Sequence, residues 1–339
     1  MRRWLPLIGV GLGMAVYASV VERIYVEVAY EPVILPQAGL PPEGVRLLYL
    51  CDLHFRGHGW IEALKIQRIL QLLRTEAYDF LLLGGDLLHS DGGIPRVLAL
   101  VEALQPHMGV YAVPGNHDYT QYTVWGLLLP EWQEEWRQWS LAEWKRLLVT
   151  QFRQIALMMS NVLRNRVIRA PVSSNAIGTL LSGLSSQGVE ILINRARPLP
   201  VGDGRLWIAG VDDLLEGHAD VAAALQEVPD NAIVILLSHN PDVVLDPNAE
   251  RASLVLAGHT HGGQVVLPGL GAVHTQGTHL KRKRPAGWFR RGAIRLFVSR
   301  GAGESVPLRF LARPQLVLLH LVPGQAREHA ATVVPKADS

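Results

Sequence analysis

The sequence predicts an α/β protein in which buried strands are joined by crossover helices. Five short apolar runs, each of a length typical of a buried strand, end in polar residues. These runs are residues 45–50, 80–83, 110–113, 233–237 and 254–257. Between the first two runs, residues 61–73 place apolar side chains and the stem of Lys65 on one helical face, which supplies a crossover helix.

Side chains that can bind a metal follow each of these predicted strands. They are Asp52 and His54, Asp86, Asn116 with His117 and Asp118, His239, and finally His259 and His261. Residues just past the carboxyl ends of the strands in an α/β sheet gather in one crevice, so we expect the five groups to meet. Residues two apart in an extended strand end point the same way, which predicts that each D-x-H or H-x-H pair reaches one centre.

The residue types in these groups favour a divalent metal of borderline softness. Aspartate, histidine and one asparagine, without any thiolate, suit Mn, Fe, Co or Zn. Taken alone, an aspartate after a strand is commonly a helix cap, and a histidine is commonly an ordinary core or surface group. The other eight of the 13 histidines, such as His58, His107 and His320, receive that interpretation. The metal site is predicted because the five groups occur together.

Composition and charge exclude several classes of protein. With 49% hydrophobic and 18% charged residues, the chain has neither a disordered nor a coiled-coil composition. A net charge of +2 gives no chain-wide field, which argues against nucleic acid as a partner. The single cysteine, Cys51, excludes an internal disulfide, and we interpret it as a small buried group.

Residues 1–28 predict a membrane anchor or a secretory signal. About 18 residues from Trp4 onward are uncharged and follow Arg2 and Arg3, a length just sufficient to span a bilayer as a helix. A signal cleaved near residues 16–18 and a helix buried in the domain are the alternatives. We favour a retained single-pass anchor at the cell membrane, and the preceding arginines favour an extracytoplasmic catalytic domain. Residues 29–44, which contain four prolines, are predicted to be a linker.

Residues 119–172 predict a helical insertion or cap. Five of the nine tryptophans fall within residues 125–144, where apolar residues recur at helical spacing. Such a helix either packs on the catalytic core as a lid or lies at a membrane surface, where tryptophan is enriched.

A basic loop follows the last of the predicted strands. It contains Lys281, Arg282, Lys283, Arg284, Arg290, Arg291 and Arg295, interleaved with Trp288 and Phe289. Two interpretations remain open: a solvated loop, or a contact for anionic lipid headgroups or for a phosphate or nucleotide of the substrate.

The metal-binding groups form an ordered series of motifs. D-x-H at Asp52, G-D at Asp86, G-N-H-D at Asn116, a later His239 and G-H-x-H at His259 resemble the calcineurin-like metallophosphoesterase superfamily. The sequence around and after His259 resembles its membrane-associated bacterial branch, typified by the YkuE and YaeI phosphoesterases, which also includes lipid A pathway pyrophosphatases. The resemblance implies two β-sheets sandwiched between helices. We place this catalytic domain at residues 45–322 and a tail at residues 323–339.

The resemblance also implies a dinuclear metal centre at the strand ends. One metal would be held by Asp52, His54 and His261, the other by Asn116, His239 and His259, and Asp86 would bridge them. His117 would act as a general acid towards the leaving oxygen, and Asp118 would orient its imidazole ring. The cofactors would be two divalent ions, Mn, Fe, Zn or Co, with Mn favoured.

Together these features predict a metal-dependent phosphoesterase at the membrane. It would hydrolyse a phosphodiester or pyrophosphate bond, in a lipid or lipid-linked substrate, by means of a metal-activated hydroxide. One alternative is a UDP-2,3-diacylglucosamine pyrophosphatase of lipid A synthesis, which conflicts with an outward domain because UDP-linked precursors are cytoplasmic. A non-catalytic metal-binding scaffold would be marked by lost ligands, and a mononuclear iron oxidoreductase leaves Asp86 and Asn116 unexplained. The oligomeric state stays open.

Overall fold

Two β-sheets pack face to face, and helices cover their outer faces. The computed structural model describes residues 5–35, 40–122, 140–166 and 171–324. The first sheet has the order β1 (Glu27–Leu35), β16 (Gln315–Pro323), β2 (Val45–Leu50), β3 (Phe80–Gly84), β4 (Gly109–Val113) and β7 (Val189–Ile191). The second has the order β14 (Gly287–Arg291), β15 (Ile294–Val298), β11 (Leu254–Ala257), β10 (Ile233–Leu237), β9 (Leu206–Gly210) and β8 (Arg195–Pro198). Two short pairs, β5 (Thr120–Tyr122) with β6 (Pro171–Ser174) and β12 (Val266–Leu267) with β13 (Gly271–Ala272), accompany them.

The helices connect and cover the strands. The main helices of the described chain are Leu5–Val16, Trp60–Leu73, Ile94–Ala103, Leu141–Leu163 and Ile177–Ser186. The helix Trp60–Leu73 lies between β2 and β3, where the sequence predicts a crossover helix. Short helical segments occur at Glu22–Ile24, Asn116–Tyr119 and Val221–Ala224, and the first of these continues the N-terminal helix through a π-helical turn at Tyr17–Val21.

The strand β2 explains why the predicted strands read as continuous apolar runs. Leu47 and Tyr49 belong to the core between the two sheets, whereas Leu48 and Leu50 pack in the core beneath the helices of the first sheet. Both faces of the strand are therefore buried, and neither face requires polar residues. The predicted α/β class, with two sheets flanked by helices, is confirmed.

Strand direction places the ligand-bearing loops at one edge. In the first sheet β2, β3 and β4 are mutually parallel, and in the second β10 and β11 are parallel. The loops after these strands therefore emerge at the carboxyl end of their own sheet, and face-to-face packing brings the two sets of loops together.

Residues 27–35 form a strand of the first sheet. The strand β1 pairs in parallel with β16, from Glu27 opposite Gln315 to Leu35 opposite Pro323. The interpretation of residues 29–44 as a linker is therefore wrong over residues 29–35, and the catalytic domain begins before residue 45. Pro32 lacks an N–H donor but is tolerated because β1 is the outermost strand of its sheet. Residues 36–39, and residues 325–339 of the predicted tail, lie outside the described chain.

The end of the N-terminal helix is fixed to the catalytic domain. The fully buried Glu22 carboxylate accepts hydrogen bonds from the backbone N–H groups of Leu311 at 2.9 Å and Ala312 at 2.6 Å. The backbone N–H of Arg309 donates to the Ala18 carbonyl oxygen at 2.9 Å. None of the helices in the described ranges combines the length and the apolar character needed to cross a membrane.

The predicted insertion at residues 119–172 is described in part. The antiparallel pair β5 and β6 forms its base, and the helix Leu141–Leu163 lies within it. The Asn165 side chain donates to Thr275 Oγ1 at 2.7 Å, and Arg282 of the basic loop donates to the Leu163 carbonyl oxygen at 2.8 Å. The insertion is thus attached to the loop that follows β13. Residues 123–139, which carry four of its five tryptophans, lie outside the described chain.

Arg309 organises the loop between β15 and β16 and is the largest fully buried side chain of the described residues. Its guanidinium group donates to the carbonyl oxygens of Ala312 at 2.6 Å and Arg300 at 2.9 Å, and also to that of Gly303. The bonds to Ala312 and Gly303 are buried, so these two carbonyl groups depend on Arg309 as their donor.

Replacing Arg309 by lysine should lower the free energy of unfolding by about 3 kcal/mol, because an ammonium group cannot reach all these carbonyl oxygens and buried acceptors lose their donors. The measurement is urea unfolding of the full chain in detergent. The control is Arg313→Lys, whose side chain is 47% exposed and should shift stability by less than about 0.5 kcal/mol. Equal unfolding midpoints for the two variants would contradict the assigned role.

Candidate metal centre

All seven residues predicted to bind metal lie just beyond the carboxyl ends of strands. Asp52 and His54 follow β2, Asp86 follows β3, Asn116 follows β4, His239 follows β10, and His259 and His261 follow β11. Each is at most 5% exposed. The two sheets therefore contribute their polar loop residues to one buried cluster, as the sequence predicts.

The cluster divides into two groups that share one carboxylate. One ligand atom from each of Asp52, His54, Asp86 and His261 lies within 4.8 Å of the others, and the same holds for Asp86, His239 and His259. The Asp86 Oδ2 atom lies 3.4 Å from His54 Nε2 and 3.1 Å from His239 Nε2. Asp86 therefore occupies the position that a bridging carboxylate requires.

Histidine nitrogens converge in pairs on either side of Asp86. The Nε2 atoms of His54 and His261 are 3.2 Å apart, and His239 Nε2 is 3.1 Å from His259 Nδ1. Nitrogen atoms of several imidazole rings directed at one point form the arrangement that divalent metals use.

The buried amide oxygen of Asn116 fits the same purpose. This Oδ1 atom is buried and finds no hydrogen-bond donor within the described chain. Leaving a buried polar atom unsatisfied costs about 1–3 kcal/mol, so such an atom requires an explanation. A cation beside Asn116 would satisfy it, and the donor set of carboxylates, imidazoles and one amide fits a divalent metal.

Backbone groups hold the predicted ligands in position. His239 Nδ1 lies 3.0 Å from the Gly84 carbonyl oxygen, so a proton on Nδ1 leaves Nε2 free as a ligand atom. The Asp52 carboxylate accepts the backbone N–H of His259 at 3.0 Å, and Asp86 Oδ1 accepts that of His117 at 2.7 Å. These contacts fix the side chains of both aspartates, and Asp86 Oδ2 is left free to face His54 and His239.

Five of the predicted ligands have a left-handed backbone. The φ angles of Asp52, His54, Asp86, His259 and His261 lie between 49° and 70°. The prediction that alternation along an extended strand end brings each pair together is therefore wrong in its reason, although the pairs do meet. Non-glycine residues in this region are uncommon, and such strain is concentrated at functional sites.

Electrostatics within the cluster favour a bound cation. Burial raises the pKa of Asp52 to about 6, against the opposing effect of His239. Burial lowers the pKa of His239, but the carboxylates of Asp86 and Asp52 outweigh it and raise this pKa to about 10. Without a metal the buried carboxylates therefore retain protons nearby, and a divalent cation would replace those protons.

His117 borders the cluster without being part of a ligand pair. Its ring centroid lies 4.5 Å from that of His54 and 4.8 Å from that of Tyr122. Its Nδ1 atom is buried and has no hydrogen-bond partner among the described residues. Packing against neighbouring rings therefore sets the orientation of this imidazole.

Asp118 does not hydrogen-bond the His117 ring, which corrects its predicted role. Its carboxylate oxygens accept the backbone N–H groups of Leu88 and Gly115, each at 2.9 Å. Asp118 thereby joins the turn that carries Asn116 to the loop that carries Asp86. Asp118 is the third residue of the helix Asn116–Tyr119, and its carboxylate caps the start of that helix by accepting the Gly115 N–H.

His89 is a candidate functional residue that the sequence analysis left among ordinary histidines. It is 5% exposed, and its ring stacks on that of His117 with centroids 5.6 Å apart. One nitrogen each of His54, His89 and His117 lies within 4.8 Å of the others. A bridge between Phe55 and Leu88 extends the pairing of β2 and β3 and brings His89 there. The only sequence feature that pointed to His89 as a site residue is its position three residues after Asp86.

A buried cluster of carboxylates and imidazoles at the common edge of two sheets, with one carboxylate shared by two groups, defines a metal-dependent hydrolase. Residues 45–263 match the family described as Calcineurin-like phosphoesterase. The chain belongs to this family, which confirms the superfamily predicted from the motifs.

Relatives of the chain include bacterial phosphoesterases. The metallophosphoesterase YkuE of Bacillus subtilis strain 168 is 34% identical over 140 residues, 41% of this chain and 48% of YkuE. Phosphodiesterase YaeI of Escherichia coli K12 is 30% identical over 153 residues, 45% of this chain and 54% of YaeI. The UDP-2,3-diacylglucosamine pyrophosphatase LpxG of Chlamydia trachomatis serovar D is 23% identical over 296 residues, 84% of this chain and 86% of LpxG. The chain thus spans about half the length of YkuE and YaeI.

Gly115 allows the turn after β4 to approach Asp86 closely, and adding a methyl group there should weaken metal binding. An alanine Cβ would lie 2.4 Å from both N and Oδ1 of Asp86 and 2.8 Å from His239 Cγ. We expect Gly115→Ala to reduce the apparent affinity for Mn²⁺ about 10-fold to 100-fold, measured by titration calorimetry, because it displaces ligands. Gly178→Ala, where a Cβ meets nothing within 4 Å, is the control. Unchanged affinity in Gly115→Ala would refute this arrangement of ligands.

Proposed function

We propose that the chain hydrolyses a phosphodiester or pyrophosphate bond with two divalent metal ions, Mn²⁺ being favoured. The position of Asp86, shared by both ligand groups, is the observation that carries this proposal. A carboxylate between two sets of histidines is suited to bridge two cations. One ion would be held by Asp52, His54 and His261, and the other by Asn116, His239 and His259.

The chemistry divides between the ions and the protein. When bound, two such ions would polarise a phosphoryl oxygen and lower the pKa of an attacking water. Asn116 supplies a ligand oxygen without adding charge, so the site stays positive enough to attract an oxyanion. The backbone N–H groups that hold Asp52 and Asp86 fix both carboxylates before a substrate arrives, which reduces reorganisation during the reaction.

We propose that His117 assists departure of the leaving group. Its ring nitrogen Nδ1 has no hydrogen-bond partner within the described part of the chain, and its ring lies beside His54; both observations support a role in donating a proton or hydrogen bond to the leaving oxygen. Asp118 acts indirectly as a positioning residue, because its contacts with Leu88 and Gly115 hold the turn that carries His117.

We further propose a lipid or lipid-linked phosphoester as the substrate, and a place at the cell membrane for the chain. The N-terminal helix exposes apolar side chains, with Val10 at 61%, Leu12 at 63% and Val16 at 57%. Apolar side chains in such a segment are suited to lipid, which supports an anchor within residues 1–28. The similarity to the pyrophosphatase LpxG over most of both chains supports a lipid-linked substrate.

The LpxG similarity also favours the second candidate, hydrolysis of UDP-2,3-diacylglucosamine itself. That reaction requires a cytoplasmic catalytic domain. We propose an extracytoplasmic one, because Arg2 and Arg3 precede the apolar segment and positive residues favour the cytoplasmic side. A non-catalytic scaffold is the weaker candidate, because all seven ligands are present and buried.

The hydrolase assignment is tested by loading the full chain with Mn²⁺ in detergent. We expect about two metal equivalents per chain by mass spectrometry and turnover of bis(p-nitrophenyl) phosphate that a chelator abolishes. In His117→Asn, kcat should fall about 100-fold or more with metal content retained, because the leaving oxygen loses its proton donor. In Asp86→Asn the metal content should fall, because the bridging charge is removed.

The exposed His107 provides the matched control for this experiment. His107→Asn should retain both turnover and metal content, since its side chain lies at the surface. Fewer than two metal equivalents in the unaltered chain, or full turnover in His117→Asn, would reject the mechanism.

Topology decides between the two substrate candidates. A reporter enzyme that is active only outside the cytoplasm, fused after residue 339, should be active if the domain is extracytoplasmic. Activity of a cytoplasm-specific reporter instead would support the nucleotide-linked candidate.

A further inference from the structure

A cavity of about 240 Å³ opens beside the ligand His54. It lies where the end of the N-terminal helix, the loop after β2 and the start of the helix Trp60–Leu73 meet. We name it the cation pocket because cationic side chains line it. Its lining residues include Arg23, His54, Arg56, Trp60, Lys65 and Glu304. Three cationic side chains therefore face one space next to the metal-binding edge.

Positive charge exceeds negative charge around the cation pocket. Three cations share the Glu304 carboxylate: Arg23, Lys65 and Arg309. The Nε atom of Arg23 lies 2.6 Å from Glu304 Oε1, and that of Arg309 lies 3.8 Å from Glu304 Oε2. Arg56 adds a fourth cation and donates through Nη2 to the Ser305 carbonyl oxygen at 3.0 Å. Three of these four cations line the cavity, and Arg309 lies in contact with the same carboxylate; before Glu62 is considered, the four cations outnumber the two carboxylates Glu304 and Glu22.

Glu62 also lines the cavity, but its carboxylate does not remove this excess. Its carboxylate lies 2.7 Å from Arg96 Nη1 and also accepts the backbone N–H of Arg56 at 2.8 Å. Glu62 therefore forms a pair with a cation of its own, and the excess around Glu304 remains.

The excess charge is largely withdrawn from water. Lys65 is 4% exposed and Arg309 is fully buried. Burial lowers the pKa of Lys65, and Glu304 only partly opposes this effect. Buried cations without a full complement of acceptors are destabilising, and a bound anion would remove that cost.

The mouth of the cation pocket is apolar. The Trp60 ring is 60% exposed, and Ile61 and Pro307 also line the cavity. A ligand that combines an anionic group with an apolar part would satisfy both the interior and the mouth.

We propose that the cation pocket binds a second phosphate group of the substrate while the bond to be cleaved lies at the metal centre. This assignment rests on the proposed function, and it narrows the substrate to phosphoesters that carry an additional phosphate near an apolar part. Arg56 is the principal ligand of that group, because Glu304 engages the other two lining cations and not Arg56. Guanidinium groups bind phosphate through charge-assisted hydrogen bonds.

Two matched esters test this proposal on the full, Mn²⁺-loaded chain. The esters are p-nitrophenyl propyl phosphate and p-nitrophenyl 3-phosphonopropyl phosphate, which differ only in a terminal phosphonate. In the unaltered chain, KM should be about tenfold lower or more for the phosphonate ester. In Arg56→Gln this ratio should fall to about one, and Arg56→Lys should restore part of it. The control is Arg74→Gln, at an exposed residue directly after the helix Trp60–Leu73. This variant should keep the full KM ratio of the two esters.

A binding measurement accompanies the kinetics. Sulfate should raise the Tm of the unaltered chain and of Arg74→Gln but not that of Arg56→Gln, because ligand binding to the folded state stabilises it. If sulfate binding depends on Arg56 but the KM values of the two esters are equal, the pocket takes a free anion and the substrate assignment is overturned. If the propyl ester is hydrolysed and the ratio of the two KM values is unchanged in Arg56→Gln, the assignment of a second phosphate to the cation pocket is wrong, although the proposed function stands. If neither ester is hydrolysed, the proposed function itself fails.

Discussion

The Asp86 carboxylate lies between histidines from the two sheets, and a close approach of the surrounding backbone segments holds it there. A Cβ at Gly85 would come within 2.6 Å of the Gly115 nitrogen, and one at Gly115 within 2.4 Å of the Asp86 nitrogen. The loops after β3 and β4 can therefore approach this closely only because both positions are glycine. Packing between the sheets then brings His239 to within 3.1 Å of the same carboxylate. A buried carboxylate in this setting requires nearby positive charge, and the cluster is built to supply it.

Much of this arrangement follows from short stretches of sequence. The five apolar runs become β2, β3, β4, β10 and β11, because strands buried on both faces leave an uninterrupted apolar signal. The clustering of the predicted ligands follows from their places after those strands. The local backbone at Asp52 or His259 does not follow, since a left-handed conformation of an aspartate or histidine is imposed by tertiary contacts.

The features that sequence reasoning missed depend on partners distant in the chain. The strand β1 contains Pro32 and joins the sheet only through β16, nearly 290 residues later. His89 acquires its significance from the rings of His54 and His117, and Asp118 from backbone groups at Leu88. Periodicity and motif spacing report on local structure and on strand ends, whereas these contacts are set by how the sheets and loops pack.

The attachment of the N-terminal helix has a practical consequence for work with shortened forms of the chain. Hydropathy alone would suggest removing everything before β1. Such a cut would delete Glu22, leaving the Leu311 and Ala312 backbone N–H groups without their acceptor, and would delete Arg23, a partner of Glu304. A fragment that starts after Ile24 would therefore have an altered loop next to the His54 side of the metal centre.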